Sequence, residues 1–365
     1  MNVQNYFVNE SDNYGLTDSE ICQSIGHGEE TEETKGFEMQ KRQLGATGPV
    51  VSAIGLGCMG MSNAYGPADR DESIATIHTA LDAGVTLLDT GDFYGQGHNE
   101  MLVAEAIKGR RDEVQLSVKF GGMRDADGAF IGFDTRPVAV ANFLAYSLER
   151  LGTDHVDIYR PARLDPSVPI EDTIGAIAEQ IDKGRVRHIG LSEVGVETIR
   201  RAHAVHPIAD LQIEYGLLER GVEREILETT RELGIGITAY GVLSRGLISA
   251  TPLTLDASDW RGHAPRFQGD NLARNQGLVE KLDEIAKNKG VTVAQLAIAW
   301  VAARGEDVVP LVGTTKRARL NEAIGAVDVT FTEAELREIE AVAPLGAAAG
   351  TRYAAEQMAM LDSER

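Results

Sequence analysis

The sequence predicts a (β/α)₈ barrel, a closed ring of parallel strands surrounded by helices. From residue 41 onwards, short apolar segments alternate with longer amphipathic segments. The apolar segments are almost continuously hydrophobic, which is typical of parallel strands that are buried on both faces. We count eight of them, the number that closes such a barrel, whereas a doubly wound open sheet is the alternative architecture.

The predicted barrel strands are Ser52–Leu56, Thr86–Asp89, Val114–Lys119, Val156–Tyr159, Val186–Leu191, Asp210–Ile213, Gly236–Ala239 and Val308–Leu311. Residues 41–57 also predict a short hairpin before the barrel, turned at Gly45–Gly48. Between strands, apolar residues recur at helical spacing, as in the segment 74–81 that precedes a stop at Gly84. Further helices are expected near 136–150, 170–181, 221–233, 271–289, 293–304, 316–326 and 331–342.

Composition divides the chain into three segments. Residues 1–38 form an acidic extension that we expect to be disordered, because residues 1–36 carry eight acidic side chains against one lysine. Residues 39–345 form the barrel domain. Residues 346–365 form a tail that follows the eighth unit, and we expect this tail to lie near the substrate pocket.

The charge of the chain argues against several partners. A net charge of −21 disfavours binding to nucleic acid or to an anionic membrane surface. No stretch reaches the roughly 18 apolar residues that a membrane helix needs, and the first residues lack the apolar core of a signal peptide. Two cysteines do not make a disulfide framework. These features predict a cytoplasmic protein that acts on a small molecule; the oligomeric state stays open.

The segment from Gly55 to Gly60 has the G-x-G-x-x-G spacing of a dinucleotide-binding loop. That motif binds a pyrophosphate only where a helix begins at the glycines. Here the following residues have loop composition, and the next helix is expected only near Asp69. We therefore interpret the glycines as part of a crowded barrel strand rather than as a cofactor motif.

Three polar residues are expected at the catalytic end of the barrel, where the strands end. Asp89 ends the second strand, Tyr94 follows five residues later, and Lys119 ends the third strand. A nearby ammonium would lower the pKa of the phenol, and a carboxylate would hold the ammonium in place. This set predicts a general acid/base for carbonyl and alcohol chemistry. Alternatively, Asp89 caps a turn, Tyr94 packs, and Lys119 pairs with a carboxylate for structural reasons only.

Several segments resemble aldo-keto reductases. VTLLDTGDFYGQGHNE (85–100) resembles the family signature, and VQLSVKFG (114–121) is similar to its lysine strand. HIGLSEVG (188–195), LQIEYGLLER (211–220), ITAYGVLSRGLI (237–248) and PLVGTTKRARLNEAIGA (310–326) resemble its later segments, in order and over about residues 40–345. The resemblance implies a barrel that uses NADPH, with Tyr94 as proton donor and with Lys119 and Asp89 tuning it.

The resemblance also implies a cofactor site, with NADPH/NADP⁺ favoured over NADH. Ser192 and Gln212 would contact the nicotinamide amide, and Tyr240 would stack on its ring. The backbone of Gly241, Leu243 and Arg245 would face the pyrophosphate. The groups implied for the adenosine end are Thr314, Lys316 and Arg319 at the 2′-phosphate and Glu322 at the adenine.

The sequence departs from the family pattern at three positions. Ala162 stands where the family has a catalytic histidine, so one donor to the carbonyl oxygen is lost; Arg160, Arg163 and His98 are candidates to replace it. Glu193 stands in place of the usual asparagine beside Ser192. Ala323 likewise replaces an asparagine beside Glu322.

These observations predict an NADP(H)-dependent oxidoreductase that reduces a small aldehyde or ketone, or oxidises the alcohol. One alternative is a weakly active redox-sensing or scaffold protein that binds the cofactor and resembles potassium-channel β subunits. Another is a Schiff-base enzyme that uses Lys119. No metal site is expected. The residues expected to form an apolar pocket wall are Trp260, Phe267, Phe130, Phe133 and Tyr353.

Overall fold

The computed structural model describes residues 38–249, 253, 255 and 259–365. The acidic extension predicted for residues 1–38 lies outside the described residues, apart from Glu38. Within the described residues the strands are β1 Lys41–Gln43, β2 Val50–Ser52, β3 Gly55–Gly57, β4 Leu87–Gly91, β5 Gln115–Phe120, β6 Gly122–Arg124, β7 Phe130–Phe133, β8 Val156–Pro161, β9 Val186–Ser192, β10 Ile208–Glu214, β11 Gly236–Tyr240 and β12 Val308–Gly313.

The α-helices of the described residues surround the sheet. They are α1 Arg70–Asp82, α2 His98–Ala106, α3 Pro137–Leu151, α4 Ile170–Asp182, α5 Val196–Val205, α6 Ile226–Glu232, α7 Gly269–Lys289, α8 Val293–Ala302, α9 Arg317–Ile324, α10 Glu333–Val342 and α11 Ala355–Met358. Side-chain caps mark several helix starts: Asp69 accepts a hydrogen bond from the backbone of Glu72, and Thr292 forms a capping box with Gln295.

Eight parallel strands close into a barrel, which confirms the predicted fold class. Their order around the ring is β3, β4, β5, β8, β9, β10, β11 and β12, and β12 pairs again with β3. Strand interiors are almost entirely buried, as the continuous apolar segments predict. All eight predicted strands overlap observed ones. The first was predicted too early, because Ser52 belongs to the hairpin and the barrel strand begins at Gly55.

The predicted hairpin exists and covers the amino-terminal end of the barrel. β1 and β2 pair antiparallel, with Arg42 opposite Val51. The turn at Gly45 packs against the barrel floor: a Cβ atom there would lie 2.5 Å from the carbonyl oxygens of Ala209 and Gly234. Gly45 also has φ +61°, so the turn requires glycine for both its shape and its close approach.

Some elements differ from the sequence-based prediction. The segment 221–233 is not one helix, because a 3₁₀ turn at Gly221–Glu223 precedes α6. The segment 121–135, for which no strand was predicted, contains the antiparallel hairpin β6–β7. The helices α2 and α5 were not predicted. No helix among the described residues is both long enough and apolar enough to cross a membrane.

Candidate active site

The barrel brings Asp89 and Lys119 together at the carboxyl ends of its strands. Asp89 lies on β4 and Lys119 on the adjacent β5, and their side chains form a buried ion pair. The Asp89 carboxylate also accepts hydrogen bonds from the Ser117 hydroxyl at 2.8 Å and from the Gln212 side-chain amide at 2.7 Å. Because it is bound on several sides, Asp89 holds the lysine ammonium in a fixed position.

Tyr94 lies next to this ion pair. It begins a 3₁₀ turn after β4, and Lys119 Nζ is 5.0 Å from the centre of its ring. Phe93 packs edge-on against the same ring, with centroids 4.9 Å apart. The three side chains that the sequence singles out as catalytic therefore share one end of the barrel; their catalytic roles stay a prediction.

The pKa of Tyr94 differs from the sequence-based expectation. We expected Lys119 to lower it, but burial raises the pKa of the phenol well above its usual range, and Asp89 and Tyr65 raise it further. The main physical reason is burial, which disfavours the charged form of the phenol, and the negative charge of Asp89 adds to it. The charge of Arg163 opposes the rise. The phenol is therefore protonated at neutral pH, which is the form that donates a proton.

The residues implied for nicotinamide binding lie on three neighbouring strands. Ser192 on β9 is in register with Gln212 on β10, which places their side chains next to each other. Tyr240 ends β11 in register with Glu214 of β10. Together these residues line one side of the barrel mouth, beside the Asp89 carboxylate that Gln212 binds.

The turn after β11 carries Gly241, Leu243 and Arg245. Gly241 and Arg245 both have positive φ, at +69° and +57°. The Arg245 guanidinium forms an ion pair with Glu214 at 2.5 Å, so only its backbone is available to a pyrophosphate. In the described part of the chain, the buried Ser244 hydroxyl of this turn has no hydrogen-bond partner. An unpartnered hydroxyl beside backbone in the left-handed region fits an anionic ligand here.

The groups implied for the adenosine end follow β12. Lys316 and Arg319 are exposed at the start of α9, and the Lys316 amide donates to the Thr314 hydroxyl at 3.1 Å. The Arg319 guanidinium lies 3.0 Å from the Glu322 carboxylate. Basic side chains and helix amides at one end of a helix suit a phosphate. Ser192 and Gln212 at one end can hydrogen-bond to an amide group, and Lys316 and Arg319 at the other end can bind a phosphate. This arrangement fits a phosphorylated nicotinamide dinucleotide.

Arg352 of the carboxyl-terminal tail enters the mouth, and sequence reasoning did not single it out. Its guanidinium binds Glu193 at 2.6 Å and Glu214 at 3.1 Å, and all three side chains are buried. Glu193 has φ +53° and also accepts a hydrogen bond from the Tyr240 hydroxyl at 2.6 Å. The sequence carried only part of the signal, the unusual acid at position 193; its need for a cation follows from its burial, which the structure shows.

Aromatic side chains of three segments meet over this end of the barrel. Trp260 stacks on Tyr353 of the tail with centroids 6.3 Å apart, and it lies 6.0 Å from Tyr65. The Tyr353 hydroxyl is 3.2 Å from that of Tyr240. The tail therefore lies at the mouth. Trp260 and Tyr353, two of the residues expected to form an apolar pocket wall, therefore lie at the mouth of the barrel.

The other expected pocket residues are placed differently. Phe267 is buried in the main hydrophobic core, on a 3₁₀ turn that leads into α7 and whose Arg266 amide donates to the Thr351 carbonyl oxygen at 3.2 Å. Phe130 and Phe133 belong to the β6–β7 hairpin, and they line a separate groove of about 320 Å³ with Leu164 and Met360.

Ala162 is buried at the end of β8, where no imidazole is present. Of the three candidate replacements, Arg160 lies inside the barrel and pairs with Asp210 at 3.0 Å. His98 begins α2, is exposed, and its Nδ1 atom lies 2.9 Å from the Ser62 hydroxyl. Arg163 lies at the mouth, 3.3 Å from the Ser192 hydroxyl. Among the described residues, no group of three or more potential metal ligands is present.

Comparisons with known proteins show the family of this chain. The model of the aldo/keto reductase family matches residues 53–344, and the chain therefore belongs to this family of oxidoreductases. It is 42% identical to the probable aldo-keto reductase 1 of Glycine max, over 87% of this chain and 92% of that protein.

Two solved structures have similar folds. A glycerol dehydrogenase from Gluconobacter oxydans has a TM-score of 0.76 and 24% identity, over 83% of this chain and 94% of that one, which supports the fold alone. An aldo-keto reductase from Bacillus halodurans, solved in its holo form, has a TM-score of 0.71 and 28% identity, over 84% of this chain and 97% of that one.

Proposed function

We propose that this protein is an NADP(H)-dependent reductase of small aldehydes or ketones, with Tyr94 as the general acid. The observation that carries the proposal is the position of Tyr94 beside the buried Asp89–Lys119 ion pair, at the mouth of the barrel. The family and the few cysteines support a cytoplasmic oxidoreductase.

The cofactor would supply the hydride and accept it back in the reverse reaction. Ser192 and Gln212 would hold its amide group, Tyr240 would pack against its ring, and Lys316 with Arg319 would bind the 2′-phosphate. The 2′-phosphate contacts favour NADPH over NADH, because they would be lost with the non-phosphorylated cofactor.

The residues of the chain supply the proton and the orientation. When hydride adds to the carbonyl carbon, the π electron pair moves onto oxygen, and the Tyr94 hydroxyl transfers its proton there. The alcohol leaves, and the tyrosinate takes a proton from water. Lys119 restrains the phenol and stabilises its transient negative charge, while Asp89 keeps the lysine aimed at the ring.

Aromatic side chains would exclude water from this step. Tyr65 and Tyr353 lie within electrostatic range of Tyr94, Trp260 packs against both, and these aromatic surfaces suit an apolar or aromatic substrate group. The reversible reaction on a small carbonyl compound needs no partner protein or nucleic acid.

The test is a panel of aldehydes, ketones and alcohols, supplied with NADPH, NADP⁺ and their non-phosphorylated counterparts. We expect NADPH absorbance to fall with at least the small aldehydes, and more slowly when NADH replaces NADPH. Tight binding of NADPH without turnover across the whole panel would instead favour the cofactor-binding sensor or scaffold. Trapping of a substrate on Lys119 by borohydride would favour the Schiff-base mechanism.

A further inference from the structure

The missing histidine at position 162 leaves open which group binds the carbonyl oxygen. The structure excludes Arg160, because its guanidinium is fully buried, pairs with Asp210 and donates to the Ser117 hydroxyl at 2.9 Å. It also disfavours His98, because that ring is held by the Ser62 hydroxyl at the exposed start of α2. Arg163 is the remaining candidate.

Arg163 follows Ala162 at the end of β8 and is half-buried. Its Nη1 atom donates to the Ala162 carbonyl oxygen at 2.7 Å and to the Ser192 hydroxyl at 3.3 Å. Ser192 ends the neighbouring strand β9. These two bonds hold the guanidinium at the mouth, beside the position that an imidazole at 162 would occupy.

Arg163 differs from the other arginines at the mouth in its partners. In the part of the chain that the structure describes, Arg245 pairs with Glu214 and Arg352 with Glu193. The hydrogen bonds of Arg163 instead end on neutral oxygens, although the nearby Glu193 carboxylate, which Arg352 binds, also acts on its charge. A guanidinium whose hydrogen bonds do not end on a carboxylate keeps N–H groups that can donate to a developing negative charge.

The charge of Arg163 affects the pKa values of both Tyr94 and Lys119. Burial and Asp89 raise the pKa of Tyr94, and Arg163 acts against them. Burial lowers the pKa of Lys119, and the like charges of Arg160 and Arg163 lower it further, while Asp89 acts in the opposite direction. Arg163 therefore lies within electrostatic range of the atoms at which proton transfer would occur.

We infer that Arg163 is a catalytic residue that donates a hydrogen bond to the carbonyl oxygen of the substrate. The inference rests on the proposed reductase function and adds a residue to it. As hydride adds to the carbonyl carbon, the electron pair on oxygen is stabilised by the guanidinium while Tyr94 transfers its proton to the same oxygen. Arg163 keeps its own protons throughout.

The test compares Arg163→Met with the wild-type enzyme, using para-nitrobenzaldehyde and saturating NADPH. We expect kcat to fall by about 10²- to 10³-fold, as for loss of one donor to a developing oxyanion. Added guanidinium ion at low millimolar concentration should restore part of kcat in this variant, because it can occupy the space of the missing group. The matched control is Arg200→Met on α5, an exposed arginine paired with Glu232, which should neither lose activity nor respond to guanidinium.

A second variant covers the case in which Arg163→Met does not fold. Arg163→Gln keeps a donor for Ala162 and Ser192 but removes the charge, and its kcat should fall as well. A wild-type kcat in either folded variant overturns the inference, and so does a loss that guanidinium does not restore in folded Arg163→Met. A wild-type enzyme that reduces no carbonyl compound overturns the proposed function and this inference together.

Discussion

Arg352 and Glu193 form a buried ion pair through two hydrogen bonds, of 2.7 Å from Nη1 to Oε1 and 2.6 Å from Nη2 to Oε2. Glu193 belongs to the loop after β9, whereas Arg352 belongs to the carboxyl-terminal tail, 159 residues later. The same carboxylate accepts a hydrogen bond from Tyr240. The tail thus neutralises a buried charge beside the ring that we propose to pack against nicotinamide.

Removal of the positive charge of Arg352 should destabilise the protein. We expect Arg352→Met to lower the free energy of unfolding by about 3–5 kcal/mol, because it leaves Glu193 charged and buried without its main partner. The double variant Glu193→Gln with Arg352→Met should cost less than the sum of the two single changes, since it removes both charges. Urea unfolding of the four proteins measures this coupling.

An exposed ion pair provides the control for this comparison of single and double variants. Arg337 and Glu333 are both exposed on α10, and Arg337→Met should change the free energy of unfolding by less than about 0.5 kcal/mol. If Arg352→Met changed the free energy of unfolding as little as Arg337→Met does, the tail would not hold Glu193 in solution.

Asp92 should make stability depend on pH. Burial, and then the nearby Glu100, raise the pKa of this carboxyl from 3.8 to about 7. The unfolded state loses the proton first, so stability falls as pH rises from about 4 to about 7, and the full cost persists above that range. Asp92→Asn removes this cost. The variant should therefore be more stable than wild type at about pH 8, with the advantage shrinking towards about pH 4.

Thermal unfolding of both proteins across this pH range checks the prediction. A difference in stability that is constant with pH would contradict it, because a purely steric effect of asparagine does not titrate. At each pH value, the stability of the variant is compared with the stability of the wild-type protein.

Lys316 should contribute to the choice of cofactor. Lys316→Ala removes an exposed cation from the proposed 2′-phosphate site, so the KM for NADPH should rise about tenfold, as expected for loss of a hydrogen bond to a charged group. The KM for NADH should change little. Lys281→Ala, an exposed lysine on α7, is the control and should leave both constants unchanged. Equal effects on NADPH and NADH would contradict the assignment of this site.

Much of the fold could be predicted from the sequence because each barrel strand is buried on both faces. Segments such as β11 and β12 are therefore largely apolar and easy to recognise. The hairpin β6–β7 was missed because its strands are short and partly exposed. The helix α2 was missed because it begins at His98, within the segment that was interpreted only as a family signature.

The site was predicted in part. The positions of Asp89, Tyr94 and Lys119 follow from strand ends, which a barrel brings together by its topology. The pKa of Tyr94 could not be derived in this way, because it depends on the depth of burial and on the negative charge of Asp89. The contact between Arg352 and Glu193 joins distant parts of the chain, and only the tertiary structure shows it.

The central claim is that the Tyr94 hydroxyl donates the proton, and the most direct test is the turnover of Tyr94→Phe. The variant keeps the ring beside Phe93 and Lys119, so its fold should be unchanged. The matched control is Tyr146→Phe, an exposed tyrosine on α3. With NADPH and a small aldehyde, we expect kcat of Tyr94→Phe to fall by about 10²- to 10⁴-fold while the control stays at the wild-type value. Undiminished turnover in folded Tyr94→Phe would contradict the account.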